Sequence, residues 1–258
     1  MPAIHYSHSK KHGAARLHPR LRLRSMAGFS LVEIAIVVTV IGLIAAISIG
    51  TYAGALGNRD VKTASANAEN VTGAILAYAR LYNHLPCPDT DGDGREGNAA
   101  GTCPAGQETG YVPYESIGLG TPPTIDRGIY VVYRNSAASA DLVAPVAGTP
   151  TRSNFLRAIV AGSNTAVAAT HVFVTGNNAS TGAENCTTNR VFHPAFAVVA
   201  PGKDRDGNGN NLDGIHVGLP GTGLCIASPD RVPNTVFDDR VASTGFTTLL
   251  GLISTDAP

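Results

Sequence analysis

The sequence predicts an α+β protein with a long N-terminal helix, and three observations support this prediction. No charged residue occurs between residues 34 and 58, and most of the side chains in that run are apolar. Apolar residues then recur at three- and four-residue steps from Val61 to Tyr82, which is the pattern of an amphipathic helix. After Pro86, short runs rich in β-branched and aromatic residues alternate with Gly- and Pro-containing turns, which predicts several short strands.

The uncharged run is long enough to be predicted as a membrane span. Its 25 residues would form a helix longer than the hydrocarbon core, which is about 30 Å thick. Residues 1–28 contain 6 of the 19 basic residues and no acid, which leaves 13 basic against 19 acidic residues in the remainder. This asymmetry predicts a cytoplasmic N-terminus and an exported remainder.

Glu33 stands at the edge of the apolar run. A carboxylate in that position is costly without a positive partner, so Glu33 is a candidate functional residue. The motif Gly-Phe-Ser-Leu-Val-Glu at residues 28–33, with a basic segment before it and an apolar run after it, resembles the processing site of type IV pilins and type II secretion pseudopilins. The alternative is an uncleaved signal-anchor helix.

The resemblance implies a processing pathway and a set of partners. A prepilin peptidase would cut between Gly28 and Phe29, the new amine of Phe29 would be methylated, and Glu33 would pair with the N-terminal amine of a neighbouring subunit. Other pilin or pseudopilin subunits, the peptidase and the inner membrane are the expected partners. We expect no nucleic-acid partner, because the basic cluster lies in the segment that would be removed.

The resemblance also implies an architecture and a location. The fold would be pilin-like, with a long helix whose first half spans the membrane, packed on a small antiparallel sheet with long disulfide-bounded loops. Residues 1–28 would be the cleaved leader, 29–58 the transmembrane half and 59–258 the periplasmic or extracellular domain. The protein would be a single-pass inner-membrane protein with a cytoplasmic N-terminus before it enters a pilus or pseudopilus.

Four cysteines follow the apolar run, and an even number on the exported side predicts two disulfides. Zinc binding is the weaker interpretation, because no two cysteines have the short spacing of a zinc site. Four cysteines allow three pairings, of which we expect Cys87 with Cys103 and Cys186 with Cys225.

The first of two aspartate-rich turns follows Cys87. Asp89, Asp91 and Asp93 occupy the first, third and fifth places of a calcium-loop pattern, and Gly94 occupies the sixth. The twelfth place is Ala100, so a complete EF-hand is excluded. The alternative to a calcium site is a solvated turn.

The second turn repeats the spacing. Asp204, Asp206 and Asn208 occupy the same three places, Gly209 is sixth and Asp213 is tenth. Major pseudopilins of type II secretion hold calcium in a loop late in the globular domain, so the resemblance favours calcium here over the alternative, a polar hairpin.

Other segments give a coarse outline of the exported domain. Asp238 and Asp239 are predicted to be solvated on an edge strand or turn. A short helix is predicted near residues 155–161. Strand-forming runs occur at residues 110–114, 128–133, 171–175 and 192–200.

No enzyme motif is recognisable in the sequence. There is no Gly-x-Ser-x-Gly elbow, phosphate loop or His-Glu-x-x-His motif, so we do not expect an enzyme. The expected function is that of a structural subunit of a type IV pilus or a type II secretion pseudopilus. The alternative is a minor, calcium-binding adhesive or tip subunit.

Overall fold

The structure is a computed structural model that describes residues 30–124, 126–144, 150–177, 181–221 and 223–255, without the side chains of residues 47–58. The chain divides into two compact units after Thr51. The described elements follow in chain order: α1 (Leu31–Tyr82), β1 (Thr109–Tyr111), β2 (Ile129–Val132), α2 (Arg152–Ser163), β3 (Phe173–Thr175), β4 (Arg190–Phe192), β5 (Phe196–Ala200), β6 (Cys225–Ile226), β7 (Arg240–Thr244) and α3 (Phe246–Ser254).

Both ends of α1 are capped by local hydrogen bonds. At the start, the amide N–H of Glu33 donates to Ser30 Oγ (3.2 Å) and that of Ser30 donates to Glu33 Oε2 (3.1 Å), which is a capping box. At the end, Asn83 adopts a left-handed conformation (φ 61°) and its amide donates to the carbonyl of Ala79 (3.0 Å). The helix has 52 residues, close to the length that the sequence predicts.

The prediction of a membrane span is wrong. Among the described residues, none of the helices combines the length and the apolar character that crossing a membrane requires. This finding overturns both the pilin-like fold with a transmembrane half at residues 29–58 and the single-pass inner-membrane location.

The second half of α1 packs on the core as its periodicity predicts. Ala64, Ala68, Val71, Ile75 and Tyr78 are all buried. They recur at three- and four-residue steps and therefore share one face of the helix. The prediction of an amphipathic helix is confirmed over this part of α1.

A four-stranded antiparallel sheet lies at the centre of the second unit, in the order β1-β2-β5-β7. In its inner strands Val131 pairs with Ala197, and Val198 pairs with Ala242 of β7. Every residue of β2 and β5 is buried, because both faces of these strands are covered. Their near-continuous apolar sequences fit this environment.

The resemblance implies a single small antiparallel sheet, and this expectation is also wrong. A second, mixed sheet has the order β4-β3-β6. Here β3 runs antiparallel to β4 and parallel to β6. The predicted strand at residues 192–200 is split between the two sheets at Pro194, which has no N–H to donate to a ladder.

The two C-terminal helices pack closely on each other. A Cβ at Gly162 of α2 would lie 2.3 Å from the ring of Phe246 in α3, so a glycine is required at this contact. Thr151 caps α2 by accepting a hydrogen bond from the amide of Asn154 (3.2 Å). The short helix predicted near residues 155–161 is confirmed as α2.

Two buried polar pairs connect the elements of the core. Arg134 Nη2 lies 2.9 Å from Asp141 Oδ2, and both side chains are about 95% buried. Glu108 accepts hydrogen bonds from the amides of Val172 (2.5 Å) and Arg134 (3.3 Å) and contacts His171 Nδ1 (2.6 Å). These contacts join the loop before β1 to the segments after β2 and before β3.

Two disulfides are present, as predicted. Cys87 pairs with Cys103 and closes the first aspartate-rich turn. Cys186 pairs with Cys225 and ties the loop before β4 to β6.

Candidate functional site

The first aspartate-rich turn is organised by the buried carboxylate of Asp89. Its Oδ1 accepts hydrogen bonds from the amides of Asp91 (3.1 Å) and Gly92 (2.6 Å), and its Oδ2 accepts one from Gly94 (2.9 Å). Gly92 and Gly94 have φ values of 80° and 92°, which favour glycine. Burial raises the pKa of Asp89, and the amide hydrogen bonds from Gly94 and Gly92 act in the opposite direction.

The second turn repeats this geometry. Asp204 Oδ1 accepts from the amides of Gly207 (2.7 Å) and Asn208 (3.2 Å), and its Oδ2 accepts from Gly209 (2.9 Å). Gly207 and Gly209 again have positive φ values, 75° and 88°. In both turns the first aspartate therefore binds the amides of the fourth and sixth residues, and glycines occupy both of those positions.

Both turns bring carboxylates close enough to bind one cation. Oxygen atoms of Asp89, Asp91 and Asp93 lie within 4.8 Å of one another, and the same holds for Asp204, Asp206 and Asp213. Either group can hold a metal ion. The side-chain carbonyl of the predicted ligand Asn208 accepts a hydrogen bond from the amide of Asn210 (2.8 Å), so it takes part in the turn.

A third carboxylate cluster lies beneath the second turn. Asp213, Asp238 and Asp239 are at least 98% buried, and their oxygens also lie within 4.8 Å of one another. Arg205 Nε lies 2.6 Å from Asp238 Oδ2. Burial raises the pKa of Asp213, and the charge of Asp239 raises it further. The prediction that Asp238 and Asp239 are solvated is wrong, because both side chains are at least 98% buried and accept hydrogen bonds from backbone amides.

His216 does not neutralise this cluster. Its Nε2 accepts a hydrogen bond from the amide of Ala227 (3.0 Å), so the ring proton is on Nδ1, which donates to Asp239 Oδ2 (2.8 Å). The imidazole is therefore neutral, and it orients Asp239 without adding positive charge. Three carboxylates face the guanidinium of Arg205, and the charge of Arg231, which also acts on Asp213 and Asp239, is paired with Glu184. An excess of negative charge remains, which favours a bound cation or a proton.

The same aspartates hold the start of the second turn. The amide of Gly202 donates to Asp239 Oδ1 (3.1 Å), and that of Lys203 donates to Asp238 Oδ1 (2.9 Å). A Cβ at Gly202 would lie 1.8 Å from Asp238 Oδ1, so no other residue fits without displacing that carboxylate. The second turn is thus built on buried side chains more than 30 residues away in the sequence.

The predicted assembly residue Glu33 lies in the first unit and is exposed, as is every residue from 31 to 46. Its carboxylate takes part in the capping box of α1, a role that the sequence analysis missed although the Ser-x-x-Glu spacing signals it. The predicted processing residues Gly28 and Phe29 lie outside the described residues.

Comparison of the chain with protein-family models, with curated proteins and with solved structures finds no match.

Proposed function

We propose that this protein is a structural subunit of a type IV pilus or a type II secretion pseudopilus, cleaved by prepilin peptidase between Gly28 and Phe29 and assembled through its N-terminal helix. The observation that carries the proposal is the exposed apolar surface at the start of α1. The sequence motif at residues 28–33 specifies the processing step.

This apolar surface surrounds the helix. Exposed fractions are 87% for Leu31, 63% for Val38 and 65% for Leu43, and Val37 and Ile41 are more than half exposed. Contiguous apolar surface of this kind is rare on a protein that acts alone, and a helix that is apolar all round requires burial. Packing of this helix against the same helix of other subunits removes that surface from water.

Glu33 is the charged residue within this surface. In a bundle of such helices its carboxylate is surrounded by apolar side chains, where an unpaired charge is costly and an ion pair is strengthened. The N-terminal amine that cleavage would create at Phe29 supplies a positive partner from a neighbouring subunit. The charge then selects the axial register in which subunits join.

A Glu33→Gln substitution tests this role, because Gln keeps the capping hydrogen bond and removes the charge. We expect normal cleavage and normal helix content, with a reduced fraction of the chain in sheared filaments. Glu33→Ala is the matched control, since it removes both the charge and the cap. Filament incorporation of Glu33→Gln equal to that of the unmodified chain would contradict the ion-pair model.

Calcium bound by the second aspartate-rich turn completes the proposal. Asp204, Asp206 and Asp213 offer hard oxygen ligands at the spacing of a calcium loop. Calcium accepts irregular oxygen shells, whereas magnesium prefers a strict octahedron and retains its waters. The turn at Asp89 is the second candidate position.

A minor adhesive or tip subunit is the second candidate function. It is favoured by the exposure of Asp204 and Asp206, which places the second turn on the surface of the domain. The amount of this chain in purified filaments separates the two functions. A major subunit forms most of the filament mass, whereas a tip subunit is present in trace amounts.

A further inference from the structure

The two sulfurs of the Cys87–Cys103 disulfide lie in different environments. Cys87 is 1% exposed, whereas Cys103 is partly exposed. Thiol–disulfide exchange begins with the approach of a thiolate to one sulfur, and its rate depends on access to that sulfur. Exposure therefore favours Cys103 over Cys87 as the sulfur that meets an external reagent.

A buried guanidinium contacts the exposed sulfur. The Arg134 side chain is 5% exposed, and its Nε and Nη2 donate to the carboxylate of Asp141 (3.0 and 2.9 Å), which fixes the plane of the guanidinium. Its Nη1 donates to the carbonyl of Pro104 (2.6 Å) and lies 3.2 Å from Cys103 Sγ. Although Asp141 balances the charge of Arg134, the direct hydrogen bond from Nη1 stabilises a thiolate at Cys103 in the reduced chain.

A carboxylate lies beside the buried cysteine instead. Glu96 Oε2 accepts a hydrogen bond from the amide of Cys87 (3.1 Å), and its Oε1 accepts one from the hydroxyl of Tyr78 (2.8 Å). Burial raises the pKa of Tyr78, and the charge of Glu96 raises it further. Burial and this negative charge also disfavour a thiolate at Cys87. The fold thus favours an anion at one cysteine of the pair and disfavours it at the other.

We propose that Cys103 is the site of thiol–disulfide exchange with an external dithiol–disulfide oxidoreductase, and that Cys87 then closes the disulfide. In the first step the Cys103 thiolate attacks the disulfide of the oxidant, forms a mixed disulfide and releases the second sulfur of the oxidant as a thiolate. In the second step the thiol of Cys87 loses its proton and attacks the sulfur of Cys103. The Cys87–Cys103 bond forms, the mixed disulfide breaks, and the oxidant leaves as a dithiol with the two electrons and two protons of the cysteines.

Two further titratable groups lie around Arg134. Glu108 accepts a hydrogen bond from the backbone amide of Arg134 (3.3 Å), and His171 Nδ1 contacts Glu108 (2.6 Å). Neither contact involves the Nη1 that faces Cys103. Arginine remains protonated across the pH range of proteins, so its hydrogen bond to Cys103 persists while the thiol titrates. The pH dependence of the reaction at Cys103 therefore reports the stabilisation of its thiolate.

Reoxidation of the unmodified full chain tests the order of the two steps. The chain is reduced without denaturant, mixed with glutathione disulfide, quenched with acid at intervals and mapped by peptide mass spectrometry. We expect a transient glutathione adduct on Cys103, followed by its replacement with the Cys87–Cys103 bond. Adducts that form equally on both cysteines, or mainly on Cys87, would overturn the inference.

Single-cysteine variants test the role of Arg134. Cys87→Ser leaves Cys103 as a free thiol, and the matched control Cys225→Ser leaves Cys186, which is also partly exposed but lies outside the contacts of Arg134. A tenfold gain in thiolate, offset by its lower nucleophilicity, raises the rate of exchange by about threefold. Cys103 should therefore react with glutathione disulfide at least about threefold faster than Cys186 at pH about 6.5, and this advantage should vanish above pH about 9.

A ratio of the two rates that stays constant with pH would assign the difference to exposure and would overturn the role of Arg134. Circular dichroism of both variants checks that the fold is retained. Filament incorporation does not enter either measurement, so failure of this inference and failure of the proposed function are distinguishable.

Discussion

Calcium binding by the second aspartate-rich turn makes a quantitative prediction about stability. An Asp204→Asn/Asp206→Asn variant keeps one oxygen on each side chain to accept an amide of this exposed turn, although it loses the second acceptor oxygen that binds Gly209 or Gly214. It removes two formal charges from the cluster. The variant should therefore retain the fold while losing most of its affinity for calcium.

The size of the effect follows from the ligand set. With two exposed carboxylates, one buried carboxylate and no acid in a bidentate twelfth position, affinity should be that of extracellular modules, with a Kd on the order of 10⁻⁴–10⁻³ M. At about 10 mM calcium, binding to the folded state alone then stabilises the unmodified chain by about 1.4–2.7 kcal/mol. For a domain of about 200 residues this raises Tm by about 3–11 °C.

The assay is thermal unfolding of the full chain with calcium and with chelator, followed by circular dichroism. The unmodified chain should show the shift, and the Asp204→Asn/Asp206→Asn variant should lose it. Asp91→Asn/Asp93→Asn is the matched control, because it also removes two exposed carboxylates and leaves the buried Asp89 that organises the first turn in place. A shift abolished only by the control would place the ion in the first turn, and no shift in the unmodified chain would refute calcium binding at both turns.

Two further predictions concern charge. Burial raises the pKa of Asp213, so protons and calcium compete for this carboxylate. The calcium-dependent rise in Tm should therefore grow as pH increases from about 4 to 7. A rise in Tm that does not depend on pH would exclude Asp213 as a ligand. In urea unfolding, Asp141→Asn should lower the free energy of unfolding by about 3–5 kcal/mol, because it leaves the Arg134 charge buried and unpaired. Glu115→Gln, which breaks the exposed ion pair with Arg95, should lower it by only about 0–1 kcal/mol. Burial alone would raise the pKa of Asp141, but its hydrogen bonds with Arg134 outweigh burial and lower that pKa. The pair therefore contributes its full stabilisation above the ordinary pKa of aspartate. This stabilisation is lost as pH falls through the lowered pKa. Equal losses of unfolding free energy for Asp141→Asn and Glu115→Gln would contradict a stabilising role for the buried pair.

Local signals in the sequence were sufficient for several elements of the fold. The face of α1 that packs on the core follows from the spacing of Ala64, Val71 and Ile75, since helical periodicity depends only on neighbours along the chain. The two disulfides were predicted from the even number of cysteines. The shared geometry of the aspartate-rich turns follows from the first aspartate and from glycines at the fourth and sixth positions.

Tertiary contacts determined the features that local signals missed. The run at residues 192–200 has the composition of one strand, but His193 and Pro194 interrupt it, and the two parts pair with different sheets. His193 accepts a hydrogen bond from the amide of Ala168 (3.1 Å) and contacts the carbonyl of Val172 through Nδ1 (2.6 Å). These partners are more than 20 residues away, so the pattern of the run itself could not indicate the break.

The burial of Asp238 and Asp239 shows why the candidate cation site was only half predictable. Adjacent aspartates before a strand are ordinarily solvated, and nothing within five residues of them signals otherwise. They are buried because the backbone amides of Gly202, Lys203 and Asp213 donate hydrogen bonds to them. The loop is not part of a β-sheet, so these carboxylates accept the hydrogen bonds that its amides would otherwise make to water. Asp238 and Asp239 therefore anchor the start of the second turn, the exposed Asp204 and Asp206 reach into it, and the buried Asp213 belongs to both groups. Substitutions of Asp238 and Asp239 should impair folding, whereas substitutions of Asp204 and Asp206 should impair cation binding and affect only the exposed turn.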